Sequence, residues 1–327
     1  MDRREFMELS ARALALASVG AWTGHALRSA AESGSSTTID AKAFNAMRRF
    51  ATTSFGKIAY VEHGKGKDAL FLHGYPLNGF QWRGAIERLS SHRRCIAPDY
   101  MGMGYSEVSA EQSLAPEAQV EMIHALLETL SVKTVDIIAN DSGGAIAQLF
   151  VAKYPERVRT LLLTNCDTAI DSPPPALLPV IALSKAGQFA DKSLAPQLAN
   201  KALARTARGL GGVAYTYPSD PSDEAIEMYL APLVSSELRK RQVEAYAIAL
   251  ERNALAGIEP ALRECKVPTR IVWGMADTIF SSSSPSWLDK TLGNSKGVRM
   301  VEGAKLFFPE EMPDLIAEEA TRLWGAG

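Results

Sequence analysis

Residues 139–145 read Ala139-Asn140-Asp141-Ser142-Gly143-Gly144-Ala145 and directly follow the largely apolar run Val135-Asp136-Ile137-Ile138. The run predicts a buried strand, and the small residues after it predict a tight turn into a helix. A strand, turn and helix in this order push one side chain out at the carboxyl edge of a parallel sheet, an arrangement called a nucleophile elbow. In this chain the side chain at that place is Asp141. The stretch therefore predicts a parallel sheet with a reactive carboxylate at its edge.

Strand-like and helical patterns alternate on both sides of this elbow. Val120, Ile123 and Leu127 fall on one face of a helix predicted over residues 117–130. Alternation of this kind favours the α/β class, here a mostly parallel eight-stranded sheet with helices on both faces. The strand-like runs lie near residues 50–55, 57–63, 68–72, 94–97, 134–139, 157–164, 269–273 and 297–302.

The alternation stops between residues 167 and 266. This stretch opens on a proline-rich segment, residues 173–175, and continues with helical patterns rich in alanine and leucine. We expect a helical cap over the carboxyl edge of the sheet, inserted between a first core part at 45–166 and a second at 267–327. Pocket-facing residues of such a cap do not follow a pattern that sequence can reveal.

Composition narrows the function classes. A chain of 327 residues with 46% apolar residues is long enough for one large α/β domain with an insertion. Its net charge of -2 provides no basic field for nucleic acid. The three cysteines are widely spaced, with no metal-binding pattern, and we expect buried free thiols. We predict a small-molecule substrate and no metal or organic cofactor.

The N-terminus resembles a bacterial twin-arginine export signal. Arg3 and Arg4 precede an uncharged, mildly apolar stretch at 13–27, and Ser29 and Ala31 are small residues suited to a cleavage site. The resemblance implies a signal at 1–31, a polar spacer at 32–44, the twin-arginine machinery as a partner, and a periplasmic or secreted protein. The stretch is too short and too rich in alanine to favour a permanent membrane span. The alternative interpretation is an amphipathic helix that packs on the fold.

From Phe50 to the end, apart from the cap, the chain resembles the α/β-hydrolase fold. Within that fold it is similar to the branch with an aspartate nucleophile, which includes haloalkane dehalogenases and epoxide hydrolases. Four segments besides the elbow carry the resemblance, in matching order and spacing: His73-Gly74-Tyr75-Pro76, Pro98-Asp99-Tyr100-Met101-Gly102-Met103-Gly104-Tyr105-Ser106, Tyr154-Pro155-Glu156-Arg157-Val158, and Val272-Trp273-Gly274 followed by Asp277.

The resemblance implies a role for each matching residue. Asp141 is the candidate nucleophile, which attacks an sp3 carbon and forms an ester. The backbone N–H groups of Tyr75 and Ser142 form the cradle for the oxyanion or leaving group. Asp277 is the catalytic acid, and Asp167 is an alternative acid position. We also expect the N-terminus of the helix after Asp141 to keep its carboxylate ionised.

Other roles for these residues stay open at this stage. Asp141 is also a residue type that caps helices, and Ser142 is a rival nucleophile. Asp167 and Asp277 are of a type that binds backbone amides in loops. His73 is expected to brace its loop, with a substitute base as the less favoured role.

The chain departs from the family pattern at Leu306. The family has Gly-Ala-Gly-His-Phe where this chain reads Gly303-Ala304-Lys305-Leu306-Phe307, so leucine stands at the position of the catalytic histidine, and none of the five histidines lies beyond His124. A leucine side chain neither activates water nor takes a proton. The neighbouring ionisable residues that are candidates to replace the histidine are Glu302, Lys305 and Glu310.

These observations leave two function classes. The first is a hydrolase that acts on an epoxide, a haloalkane or an ester-like molecule through Asp141. The second is an impaired or inactive hydrolase-fold protein that binds a small molecule. No tryptophan lies in the predicted cap or directly after Asp141 to bind halide, whereas the cap holds four tyrosines, so an epoxide fits slightly better. These tyrosines are Tyr215, Tyr217, Tyr229 and Tyr246.

Overall fold

The computed structural model describes residues 38–325, so the predicted export signal and the first part of the predicted spacer lie outside the described residues. Helix α1, Ala41–Met47, begins within the last residues of the segment predicted as a spacer. Its N-cap is Asp40, whose Oδ1 accepts a hydrogen bond from the N–H of Ala43 at 2.7 Å. Regular structure therefore starts a few residues before the predicted domain boundary at residue 45.

The eight strands form one sheet in the order β1-β2-β4-β3-β5-β6-β7-β8. The pairs β1–β2 and β2–β4 are antiparallel, and the other five pairs are parallel. Every residue of β5 is buried, as expected for a central strand covered on both faces. The predicted mostly parallel, eight-stranded sheet is confirmed. The strands are β1 Arg48–Thr53, β2 Gly56–His63, β3 Asp68–Leu72, β4 Arg94–Pro98, β5 Val135–Asp141, β6 Val158–Cys166, β7 Thr269–Gly274 and β8 Ser295–Val301.

Helices follow the strands, and seven of them lie between β6 and β7. We call this inserted region, residues 167–266, the cap. The helices after α1 are α2 Arg83–Leu89, α3 Pro116–Thr129, α4 Ser142–Lys153, then in the cap α5 Leu178–Lys185, α6 Ala195–Ala199, α7 Lys201–Ala204, α8 Leu210–Ala214, α9 Asp223–Val234, α10 Glu237–Ala249 and α11 Glu259–Glu264, and finally α12 Ser284–Thr291, α13 Phe308–Glu311 and α14 Pro313–Leu323.

Two glycines let α4 pack tightly behind the turn at Asp141. A Cβ on Gly143 would lie 2.5 Å from the carbonyl oxygen of Leu72 and 2.6 Å from that of His73. A Cβ on Gly144 would lie 2.3 Å from the Cβ of Cys166. Because no side chain fits at either position, α4 starts directly against the ends of β3 and β6, and this fixes the residue that precedes it.

Asp141 itself has an unusual backbone, with φ 55° and ψ -132°. Positive φ at a residue other than glycine occurs among residues 38–325 at Ser131 and Asp141. Such a conformation costs on the order of 1–3 kcal/mol and persists where the surrounding structure enforces it. It is the sharp strand-to-helix turn that the sequence predicts.

Within residues 38–325, no helix combines the length and the apolar character required to cross a bilayer. Cys95, Cys166 and Cys265 are free and buried.

Candidate active site

Asp141 sits at the carboxyl edge of the sheet, where only 8% of the residue is exposed. Its Oδ2 accepts a hydrogen bond from the backbone N–H of Tyr75 at 2.9 Å, and the backbone N–H of Ser142 also donates to this carboxyl group. A Cβ on Gly74 would lie 2.7 Å from the same Oδ2, so only glycine allows the Tyr75 loop to approach so closely. The two amides predicted to form the cradle therefore both reach the predicted nucleophile.

A cavity of about 250 Å³ opens over Asp141, between the sheet edge and the cap. Its walls are mainly aliphatic and aromatic. Among the lining residues that the structure describes, the ionisable ones are Tyr75, Asp141, Asp167 and Arg208, of which Arg208 is exposed. The apolar walls include Leu177, Val180, Leu183, Phe189, Leu210, Val213, Leu230, Leu250, Ile279, Phe280, Leu306 and Phe307. A chamber of this kind suits a small, mainly apolar molecule that reacts with Asp141.

Burial, and not the helix N-terminus, dominates the charge state of Asp141. Loss of hydration raises the pKa of Asp141 well above 3.8, and the nearby carboxylate of Asp167 raises it further. The N–H groups of Tyr75 and Ser142 act in the opposite direction but do not compensate. Burial opposes the expected effect of the helix on this carboxylate, because the covering cap removes water from it.

Leu306, the residue predicted to stand in place of a catalytic histidine, is buried at the wall of the cavity. Leu306 is 2% exposed and lines the cavity together with Phe307. The carbonyl oxygen of Leu306 accepts a hydrogen bond from Nδ2 of Asn140 at 3.1 Å, so its backbone is tied to the residue before the nucleophile. The segment is therefore anchored, and the side chains that it contributes to the cavity, Leu306 and Phe307, are apolar.

The ionisable residues near Leu306 are engaged elsewhere or point to solvent. Nζ of Lys305 donates to the carbonyl oxygen of Gly212 in the cap at 2.7 Å. Glu310 accepts hydrogen bonds from Nη1 of Arg83 at 2.6 Å and from the hydroxyl of Tyr215 at 2.6 Å, while Glu302 is exposed. None of these three groups lines the cavity, so none is placed to replace the histidine.

His73 braces the loop that carries Tyr75. Its Nε2 accepts a hydrogen bond from the N–H of Tyr100 at 3.2 Å, which leaves Nδ1 to donate to the carbonyl oxygen of Gly74 at 2.9 Å. Complete burial lowers the pKa of His73 to about 4, so the ring is neutral near pH 7. With both ring nitrogens occupied by backbone groups, His73 has the structural role that the sequence favours.

The two candidate acids occupy different places. Asp277 follows β7, and its Oδ2 and Oδ1 accept hydrogen bonds from Nδ2 of Asn165 and from the N–H of Ile279, both at 2.8 Å. It is not among the described residues that line the cavity, and its catalytic role stays a prediction. Asp167 follows β6, is 5% exposed and lines the cavity with Asp141. Of the two, Asp167 has the larger effect on the pKa of Asp141.

Burial of Asp167 makes the stability of the protein depend on pH. Burial raises the pKa of Asp167 from 3.8 to about 7, partly offset by a hydrogen bond from Ser172. Between these values the folded state retains a proton that the unfolded state has lost, so the free energy of unfolding falls as pH rises from about 4 to 7. Asp167→Asn removes this penalty. We expect the stability advantage of this variant over wild type to grow by on the order of 2–4 kcal/mol as pH rises from about 4 to about 8.

Urea denaturation at the two pH values measures this gain. Asp171→Asn is the control, because Asp171 lies on the same loop, accepts a hydrogen bond from the N–H of Ser281 and does not line the cavity. An Asp167→Asn variant whose advantage is the same at both pH values would contradict the assignment of a raised pKa to Asp167.

Three of the four cap tyrosines, Tyr215, Tyr229 and Tyr246, divide into two groups by their contacts. The hydroxyls of Tyr215 and Tyr229 donate to Oε2 of Glu310 at 2.6 and 2.9 Å, which links the cap to α13. Tyr246 instead lies beside the elbow: its ring stacks on Tyr75 with centroids 5.6 Å apart, and its hydroxyl is 3.4 Å from Oγ of Ser142. None of these three lines the cavity.

Sequence reasoning missed the amide network beneath the site. Nδ2 of Asn140 donates to Oγ1 of Thr164 and to the carbonyl oxygens of Asn165 and Leu306, and its Oδ1 accepts from Nε2 of Gln81. These bonds tie together the loops that hold Tyr75, Asp141 and Leu306. The available signal was an asparagine inside an apolar strand, since a buried amide must find partners.

No three metal-binding side chains come together among residues 38–325 in a way that would hold a metal ion.

The sequence model of the family described as alpha/beta hydrolase fold matches residues 70–311. The chain is 30% identical to the cis-3-alkyl-4-alkyloxetan-2-one decarboxylase of Shewanella oneidensis over 36% of its own length, and spans 38% of that relative. It is 26% identical to haloalkane dehalogenase 2 of Mycobacterium tuberculosis over 85% of this chain and 94% of that protein. The solved structure of epoxide hydrolase CorEH without ligand matches with a TM-score of 0.71 at 22% identity, over 85% of this chain and 98% of that one.

Proposed function

Because this chain belongs to the alpha/beta hydrolase fold family, we propose that it hydrolyses a small, mainly apolar molecule through an ester formed on Asp141. The position of Asp141 carries the proposal: its carboxyl group ends the elbow, lines the apolar cavity and accepts the N–H groups of Tyr75 and Ser142. Relatives named haloalkane dehalogenase support it, since that name describes removal of a leaving group from carbon.

The proposed reaction has two steps. A carboxylate oxygen of Asp141 attacks an sp3 carbon, a C–O bond forms, and the leaving group departs with the electron pair of the broken bond. Water then adds to Cγ of the ester, the alcohol departs, and Asp141 is regenerated. Only ionised Asp141 attacks, so its raised pKa predicts loss of activity in acid.

Within this substrate class, the lining favours an epoxide over a haloalkane. A departing halide requires N–H donors, and no tryptophan is among the described residues that line the cavity. The alkoxide released when an epoxide ring opens requires a proton, and the lining does contain acidic groups, Asp167 and Tyr75.

A second candidate reaction is favoured by Leu306, because it needs no base to activate water. One relative is named for decarboxylation of an oxetan-2-one, a four-membered lactone. If Asp141 attacks the sp3 ring carbon bonded to oxygen, that C–O bond breaks and leaves a free carboxylate on the bound chain. Loss of CO₂ then breaks a C–C bond, whose electron pair forms an alkene and expels Asp141. Atoms balance as lactone to alkene plus CO₂, without water.

One experiment tests these proposals together. The purified protein is incubated with 1,2-epoxyhexane, 1-bromobutane, a cis-dialkyl oxetan-2-one and a simple ester, and both the products and the intact protein mass are measured. Diol, alcohol or acid supports hydrolysis, and alkene with CO₂ supports the second candidate. If none of the four compounds gives a product or a mass adduct, both candidate reactions are contradicted, and a small-molecule binding protein remains as the function.

Export by the twin-arginine machinery to the periplasm or beyond is also part of the proposal, and it rests on Arg3 and Arg4. Replacing both arginines with lysine is expected to retain most of the protein in the cytoplasm, as measured by fractionation. Unchanged distribution of this variant would contradict export by that route.

A further inference from the structure

Asp167 lies next to Asp141 at the carboxyl edge of the sheet. In the register of β5 and β6, Asp141 pairs with Cys166, so Asp167 is one residue beyond the position directly opposite the nucleophile. Adjacent strands lie about 4.8 Å apart. Both carboxyl groups line the same cavity, and Asp167 is 5% exposed. A molecule bound to Asp141 therefore has Asp167 beside it.

Among the described residues that line the cavity, no other acidic side chain is placed beside Asp141 with its acidic group facing the cavity. Arg208 is exposed, and the hydroxyl of Tyr75 faces the carbonyl oxygen of Val243 at 3.4 Å. Asp277 uses both carboxylate oxygens to accept hydrogen bonds from Asn165 and Ile279, outside the lining. Asp167 is thus the acid of the cavity that remains for proton transfer.

We propose that Asp167 acts directly as the general acid and then the general base of the reaction at Asp141, in place of the missing histidine, and that the substrate is an epoxide. This rests on the proposed hydrolysis through Asp141. Asp167 is distinct from an acid that orients a histidine, since no histidine is among the described residues that line the cavity.

With an epoxide as substrate, the atoms and protons of the reaction balance. Ionised Asp141 attacks a ring carbon, the C–O bond breaks, and protonated Asp167 gives its proton to the ring oxygen. Asp167, now a carboxylate, takes a proton from water, whose oxygen adds to Cγ of the ester. The tetrahedral adduct then collapses: the bond between Cγ and the oxygen of the diol breaks, and that oxygen receives the proton of the adduct's hydroxyl. The sum is epoxide plus water to diol, with Asp141 ionised and Asp167 protonated as at the start.

The electrostatics of the pair fit this cycle. The groups that interact with Asp167 include Asp141, Asp171, Ser172, Tyr246 and Cys166. Burial brings the pKa of Asp167 to about 7, where an acid–base catalyst both gives and accepts protons near neutral pH. Burial and the nearby Asp167 both raise the pKa of Asp141, so attack requires that Asp141 lose its proton while Asp167 keeps one. Once Asp141 is an ester, it no longer competes for that proton.

The test compares wild type, Asp167→Asn, Asp167→Glu and Asp171→Asn. With 1,2-epoxyhexane, Asp167→Asn is expected to form diol about 10²–10⁴-fold more slowly. Asp171→Asn is expected to lose far less of the rate, because Asp171 only adds to the raised pKa of Asp167. With 1-bromobutane, which needs no acid, Asp167→Asn is expected to accumulate a butyl ester on Asp141 that decays at least about 100-fold more slowly. Ester decay in wild type is expected to accelerate as pH rises through about 7, and in Asp167→Asn to lose this dependence.

The outcomes distinguish the role of Asp167 from the proposed hydrolysis through Asp141. If wild type turns over and the Asp167→Asn ester decays at the wild-type rate with the same pH profile, Asp167 is not the base. If wild type forms neither adduct nor product, the hydrolysis itself is contradicted, and this inference with it. Asp167→Glu retains a carboxyl group and is expected to recover part of the rate, which a merely structural role for Asp167 would not require.

Discussion

Replacing Asp141 with asparagine is expected to lower product formation by at least about 10⁴-fold, whichever substrate of the panel reacts. The side-chain amide has the shape of the carboxyl group but is a poor nucleophile, so the ester on residue 141 does not form. The N–H of Tyr75, which donates to Oδ2 of Asp141, finds an acceptor in the amide oxygen. Because the variant also removes a buried carboxyl group whose pKa is raised, its fold is expected to be at least as stable as wild type near pH 8.

Two measurements make this prediction specific. The loss must appear in kcat/KM and in the intact-mass adduct together, because a binding defect alone would slow the adduct without abolishing it at high substrate concentration. Ser142→Ala is the comparison for the rival nucleophile, since the hydroxyl of Ser142 faces Tyr246 and does not line the cavity. A larger loss in Ser142→Ala than in Asp141→Asn would transfer the role to Ser142.

The sequence was sufficient to predict the fold class because its signals are local. The buried run of β5, the small residues of the turn and the spacing of the flanking motifs each depend on nearby residues. The eight-stranded sheet and the α/β-hydrolase fold are accordingly confirmed, and the chain is similar in sequence to haloalkane dehalogenases.

The sequence was not sufficient to predict the chemical state of the site, because that state depends on residues far apart in the chain. The expectation for Asp141 considered its own helix alone, whereas burial under cap residues such as Phe189 and Leu230 raises its pKa. Similarly, Glu310 is a candidate base by position in the sequence, but Arg83 and Tyr215 occupy its carboxylate. Distant partners of this kind leave no periodic pattern.

Introducing histidine at Leu306 is expected to increase the rate of ester hydrolysis on Asp141 by about 10²–10⁴-fold. Leu306 is 2% exposed, lines the cavity and has its backbone fixed by Asn140, so an imidazole attached there shares the cavity with Asp141. Leucine and histidine are similar enough in size for the change to be accommodated with limited repacking. Asp277 or Asp167 then has an imidazole to orient, as the family pattern requires. The measurement is the decay of the butyl ester in single-turnover experiments with 1-bromobutane.

Leu306→Met is the matched control, because it preserves volume and apolar character without adding a base, and its ester is expected to decay at the wild-type rate. The double variant Leu306→His/Asp167→Asn shows which base hydrolyses the ester. If the imidazole takes over, removal of Asp167 is expected to slow ester decay far less in the histidine background than in wild type, a coupling that independent residues do not show. If the ester decays as slowly in Leu306→His as in Leu306→Met, the segment around residue 306 no longer directs its side chain towards Asp141.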